Sequence, residues 1–221
     1  MSISRPALAG GLSWIVAALV FLAGNVVTGF GWRRPSYSWA AHNVSDLGNV
    51  TCGVWDTTRP RYVCSPWHAV MNTTFVLSAA LLALGIVLTW RAAGRGAGVR
   101  TVQVLLLFAT VGYALAGFFP ADANENAHFL GALLIVVLGN IGLVVAGLVR
   151  GGGLLGEVRA LSLVAGLTAV AGTVLFFSQH GLGIGLGGME RVAAFPLWAW
   201  ASVAGVVLLR RRPSRLARSS P

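Results

Sequence analysis

The chain contains no lysine: all sixteen of its basic residues are arginine, set against six acids, four histidines and two cysteines. Charged residues fill 10% of the 221 positions, where an ordinary soluble domain carries about 25%. That scarcity excludes a water-soluble fold. The all-arginine usage points to codon bias in a GC-rich, bacterial genome. A net charge of +10 would suit a nucleic-acid partner, but the arginines flank apolar runs and form no amphipathic or aromatic-interleaved patch. No nucleic acid is expected, and membrane orientation accounts for them. There is no Cys-x-x-Cys-His element and no pair of mid-span histidines, which argues against haem. The glycines at 181, 183, 185, 187 and 188 lack the Lys and Ser/Thr of a phosphate-binding loop, and are expected to form a flexible or re-entrant turn.

What the sequence does have is apolar length, with 56% of its residues hydrophobic. A helix rises about 1.5 Å per residue, so about 20 apolar residues cross the hydrocarbon of a bilayer. Six such stretches occur, at about 12–30, 67–90, 101–119, 128–149, 160–178 and 192–209. The expected fold is an all-α, polytopic membrane bundle of six transmembrane helices, one domain over residues 1–221 with no separate soluble part. A long loop, 31–66, follows the first span, and a basic tail covers 210–221. The first apolar stretch is too long for a signal-peptide core and lacks a small-residue cleavage site, so it is expected to stay as a span. Gly139 and Gly142 would let helices approach closely, and Asn25 and Gln103 would hydrogen-bond between helices.

Basic loops are retained in the cytoplasm, so arginine placement sets the expected orientation. Eleven arginines, among them Arg91, Arg95, Arg100, Arg150 and Arg159, fall on the side of both termini; five, Arg33, Arg34, Arg59, Arg61 and Arg191, fall on the other. Both termini are therefore expected in the cytoplasm of a bacterial cell, with the protein in its cytoplasmic membrane and Trp32, Trp39, Trp55, Trp67 and Trp90 serving partly as interfacial anchors. Cys52 and Cys64 share the first outer loop, where an oxidising compartment permits a disulfide; two unpaired thiols are the alternative.

On this topology the ionisable residues segregate. Asp46, Asp56, Asp122, Glu125 and Glu190 and all four histidines, His42, His68, His128 and His180, lie on the outer side, while Glu157 is a solvated loop charge between Arg150 and Arg159. Ionisable groups at membrane depth are costly and usually functional, so a pocket of Asp46, His68, His128, His180 and Glu190 is expected there. Asn72, one turn after His68, would orient that imidazole. Glu125 and His128 form a Glu-x-x-His pair, a spacing found in metal-binding bundles, and His42 would pair with Asp46 across a turn. His68, His128 and His180 are candidate ligands for a divalent metal such as zinc, which activates water when three ligands leave a position open. Without metal, the same groups suit general acid and base work, with Ser45 and Ser178 as candidate nucleophiles.

Three segments, Ser38–Gly48 (SWAAHNVSDLG), Gly117–His128 (GFFPADANENAH) and Gly188–Arg191 (GMER), resemble the bacterial and archaeal domain-of-unknown-function family 998. The resemblance spans nearly the whole chain. It implies a six-span protein in which Ser45, Asp46, Pro120, Asp122, His128, Glu190 and Arg191 occupy the family's pattern positions, and it brings no settled activity. The chain is also distantly similar to the Frag1/DRAM/Sfk1 membrane proteins, which points towards lipids. Three functions compete. The first is a lipid-directed hydrolase or transferase, metal-assisted or acid–base. The second is a non-enzymatic lipid-binding, transport or accessory subunit with a buried Glu190–Arg191 pair. The third is a structural partner protein.

Overall fold

A computed structural model describes residues 4–211. The tail arginines Arg212, Arg215 and Arg218 lie outside the described residues. The helices are α1 (Arg5–Gly31), α2 (His68–Leu88), α3 (Ala97–Phe118), α4 (Glu125–Leu133), α5 (Asn140–Leu148), the single turn α6 (Leu154–Glu157), α7 (Arg159–Phe177) and α8 (Gly185–Arg210). A π-helical segment, Leu134–Gly139, joins α4 to α5, so these three pieces make one span of 24 residues. Among the described residues, six helices are long and apolar enough to cross a membrane. The chain is a multi-pass membrane protein with an all-helical core.

The boundaries that differ most from those the hydropathy pattern predicts are the starts of α1 and α8. Helix α1 begins at Arg5 rather than near 12, because the Ser4 hydroxyl accepts the Ala7 amide and Pro6 sits in the first turn, where its missing N–H costs nothing. Helix α8 begins at Gly185 rather than near 192, so Glu190 and Arg191 lie within the helix and do not open it. The glycine run is thus not simply a flexible turn. The Gly187 amide donates to the Ala40 carbonyl at 2.8 Å, and a Cβ at Gly185 or Gly187 would stand 2.3 Å from Ala40 O or 2.1 Å from His42 O. Glycine here lets the loop after α1 lie directly on the start of α8.

Each span packs on its neighbours in the chain, and α8 closes the ring against α1. Small residues make the crossings close: a Cβ on Gly112 of α3 would lie 2.5 Å from the Gly131 carbonyl of α4. The interior holds an aromatic stack in which the Phe21 and Trp198 rings are 4.5 Å apart, and Trp198 Nε1 donates to Tyr113 Oη at 2.9 Å. Asn140 ties three spans, donating to Val136 O, Thr173 Oγ1 and Ala193 O. Asn25, expected to bond between helices, instead donates to Phe21 O of its own helix. Gln103 reaches Trp90 O in the α2–α3 connection.

The long loop is ordered by its own elements. A 3-10 turn covers Ser45–Gly48, and strands β1 (Gly53–Trp55) and β2 (Arg61–Val63) form an antiparallel hairpin with Gly53 opposite Val63. Cys52 and Cys64 flank the hairpin and are bonded, their Cα atoms 4.2 Å apart. Trp32 is buried in the core rather than standing at an interface. At the opposite end Glu157 does not pair with Arg150 or Arg159; it meets Arg211 at 2.7 Å, while Arg159 Nε donates to Gly147 O.

Candidate functional site

At the hairpin end a cavity of about 200 Å³ is lined by residues of the 43–45 loop, the hairpin, α4, α7 and α8. Its polar wall is Ser45, Asp56, Arg61, Glu125, His128 and Glu190; its apolar wall includes Trp55, Phe129, Phe176 and Phe177. Ser45, His128 and Glu190 also line a second space of about 50 Å³, which continues inward to Phe21, Phe75, Tyr113 and Ile135. Polar groups from three separate segments therefore meet where a charged vestibule gives way to an apolar interior. Phe129 and Phe177 are 52% and 43% exposed, so the cavity reaches the outer surface of the bundle between α4 and α7.

His128 lies one turn inside α4, whose first turn is capped by Asn124 accepting the Ala127 amide. Its Nδ1 is 2.9 Å from the Phe119 carbonyl. A carbonyl only accepts, so Nδ1 carries the proton and Nε2 keeps its lone pair. Glu125, three residues earlier, lines the same cavity from the exposed start of the helix. Glu190 Oε2 accepts the Val44 amide at 2.5 Å. Its other oxygen has no protein partner among the described residues.

Asp46 has a different place. Both its oxygens are taken: Arg61 Nε donates to Oδ2 at 2.7 Å and Arg61 Nη2 to Oδ1 at 2.5 Å, and the Asn43 amide adds a third bond at 2.8 Å. The side chains are 1% and 8% exposed. Asp46 holds Arg61 against the 3-10 turn and is itself walled off from the cavity. Arg61 Nη1 also meets Asp56 at 3.0 Å. Burial works against the Arg61 cation, but the bonds to Asp46 and Asp56 outweigh it and hold its pKa above the ordinary range.

The remaining sequence candidates are distributed elsewhere. Asp122 accepts the Val50 and Thr51 amides and the Thr51 hydroxyl, fastening the strand-side loop to the α3–α4 turn. Asn72 does not orient His68; it donates to Gly48 O, and His68 Nδ1 turns to Ser65 O at 2.9 Å. His180 is exposed beside Ser178 Oγ at 3.0 Å. His42 does not pair with Asp46: its Nδ1 accepts the Ser38 amide and its Nε2 faces the Tyr62 carbonyl. Burial pushes its pKa down, in keeping with that neutral tautomer. Glu190 and Arg191 are not a bonded pair either. Arg191 points the other way, to the carbonyls of Trp39, His42 and Gly187 and to Tyr37 Oη, with its guanidinium 5.1 Å from the Trp39 ring.

His68, His128 and His180 thus have three different settings, and among the described residues no group of three or more His, Cys, Asp or Glu is placed to hold a metal ion. The cavity residues that the motif reading passed over are Trp55, Asp56, Arg61 and the three phenylalanines. One signal was available for Arg61: with Arg59 it runs against the arginine bias of the chain, and a cation on that side needs a partner.

The family model described as Protein of unknown function (DUF998) matches residues 15–207. No curated protein and no solved structure matches the chain.

Proposed function

Because the chain belongs to the DUF998 family, which carries no assigned activity, we propose its function from the cavity: it admits the polar end of a membrane amphiphile between α4 and α7 and acts on it by acid–base chemistry, as a lipid-directed hydrolase or transferase. The observation that carries this is the joint lining of both spaces by Ser45, His128 and Glu190 beside lipid-facing phenylalanines. About 200 Å³ is less than the roughly 300–1,000 Å³ of a site that encloses a whole ligand. A headgroup fits while its chain stays in the bilayer. In this proposal His128 Nε2 takes a proton from the nucleophile, Ser45 Oγ or a water, and passes it to the leaving group, while Glu190, held by the Val44 amide, lines the site beside them. Membrane lipids are the partners, the hairpin faces outward, and both termini lie in the cytoplasm, in keeping with the arginine bias.

The metal-assisted form has less support, since the three histidines are not assembled. A second proposal, binding without turnover, is favoured by Asp46: its engagement with Arg61 removes the acid that would orient a histidine as a third partner. One experiment separates them. Protein purified in native lipid is incubated and its lipids are followed by mass spectrometry, beside His128→Ala and Ser45→Ala. Turnover lost in both variants supports the enzyme; a retained amphiphile with no product supports the binder; neither retention nor turnover sinks both.

A further inference from the structure

The cavity wall has an uneven charge. Asp56, Glu125 and Glu190 line it, and among the described residues the one cation in the wall is Arg61. Four of the five N–H donors of Arg61 are already bonded, Nε and Nη2 to Asp46 and Nη1 to Asp56 and Arg59 O, and its charge is paired with both acids. Two further arginines stand behind the wall. Arg59 donates to Ala41 O and Asn43 Oδ1, and Arg191 to Trp39 O, His42 O and Gly187 O with its Nε unpartnered among the described residues; neither side chain lines the cavity. Counting Asp46, which Arg61 walls off from the cavity, the local set holds four acidic side chains against three guanidiniums, and three of the acids, Asp56, Glu125 and Glu190, line the cavity against Arg61 alone.

Hydrogen-bonding capacity has the same sign. His128 is 9% exposed, so nine-tenths of it is buried, and its ring lines the cavity with Nδ1 given to Phe119 O and Nε2 left as an acceptor. The second oxygen of Glu190 and the Glu125 carboxylate are acceptors too, and the Ser45 hydroxyl can accept. A phosphate or carboxylate entering here would meet acidic side chains and a basic nitrogen, and the one cation in the wall, Arg61, is already paired with two acids. An ammonium would find acceptors around it. The other wall suits the same guest: Phe129 and Phe177 centroids are 6.4 Å apart, Phe176 and Phe177 5.5 Å, and Trp55 stands in the hairpin. Aromatic faces attract cations by about 0.5–2 kcal/mol.

Building on the amphiphile-binding proposal above, we infer that the polar end this cavity recognises is a cationic nitrogen, an ammonium carried by a lipid or lipid-like chain, held between Glu125, Glu190 and His128 on one side and the aromatic wall on the other.

The test holds the chain constant and varies the charge. Protein in neutral maltoside micelles is titrated with dodecyltrimethylammonium, dodecyl phosphate and monododecyl glycerol, with empty micelles as the blank. The ammonium amphiphile is expected to bind about tenfold more tightly than the phosphate, the equivalent of about 1.4 kcal/mol. The preference is expected to shrink in Glu125→Gln, a variant on an exposed first turn that leaves the core untouched, and further in Glu190→Gln. Equal affinity for all three, or preference for the phosphate, overturns the cationic assignment while amphiphile binding stands. Saturable binding of none of them overturns that assignment and the amphiphile-binding proposal together.

Discussion

The two ends of the bundle use arginine in opposite ways. At the hairpin end Arg61 and Asp46 are 8% and 1% exposed and share two hydrogen bonds. At the other end Arg211 and Glu157 meet across 2.7 Å, the arginine side chain 14% and the glutamate 54% exposed, so that solvent reaches the pair from the glutamate side. A screened surface pair contributes about 0–1 kcal/mol, whereas removing one partner of a buried pair costs about 3–5 kcal/mol, because the other charge is stranded. The same residue type therefore meets a buried acid at one end and an exposed one at the other. Burial, not charge count, makes the difference.

The largest effect that would sharpen this contrast is Arg61→Ala. It strands Asp46, and thermal unfolding in detergent should show a loss of about 3–5 kcal/mol, with the hairpin released from the Ser45–Gly48 turn. Equal stability of Arg61→Ala and wild type would break the comparison outright. Next comes Cys52→Ser with Cys64→Ser. The bridge closes a separation of 12 residues, and freeing a loop of that size costs about 2–4 kcal/mol. Melting with and without reductant should differ by that amount in the wild type and not at all in the double variant.

A pH change should also act on one end alone. Burial holds the His42 imidazole below its ordinary value of 6.5. The unfolded chain then binds the proton first, so this contribution is complete above pH 6.5 and falls as the pH drops below it, by at most about 1.4 kcal/mol per pH unit. Amide protection factors, which divide out the intrinsic base-catalysed rate, should fall in residues 37–44 between pH 7.5 and 5.5 while those of the α6–α7 junction, which carries no histidine, stay constant. The smallest effect is Arg211→Ala, under about 1 kcal/mol and reduced further by salt. A larger loss there would mean that the exposed pair is as structural as the buried one.

The candidate site was legible in part. Ser45, Glu125, His128 and Glu190 were singled out by residue type and by their shared end of the bundle, and all four line the cavity. Asp46 was singled out for the same reasons, yet its carboxylate is consumed by Arg61, fifteen residues away across the hairpin. His68 and His180 share a depth with His128 but point to local partners, Ser65 and Ser178. Depth along the membrane can be read from position in a span. Azimuth around a helix and the path of a loop cannot, because they depend on which neighbours pack where.

The sequence by itself determined six apolar spans, the segregation of acids and histidines to one end, and the cysteine pair within one loop. These follow from length, hydropathy and charge, which act residue by residue. Tertiary structure decided which carboxylate is free and which is bound, that the glycines before Glu190 seat a loop on the start of α8, and that phenylalanines of α4 and α7 wall the cavity where it meets the surface of the bundle. Those outcomes depend on side chains distant in the chain competing for the same donors and the same space, and only the packed bundle settles such a competition.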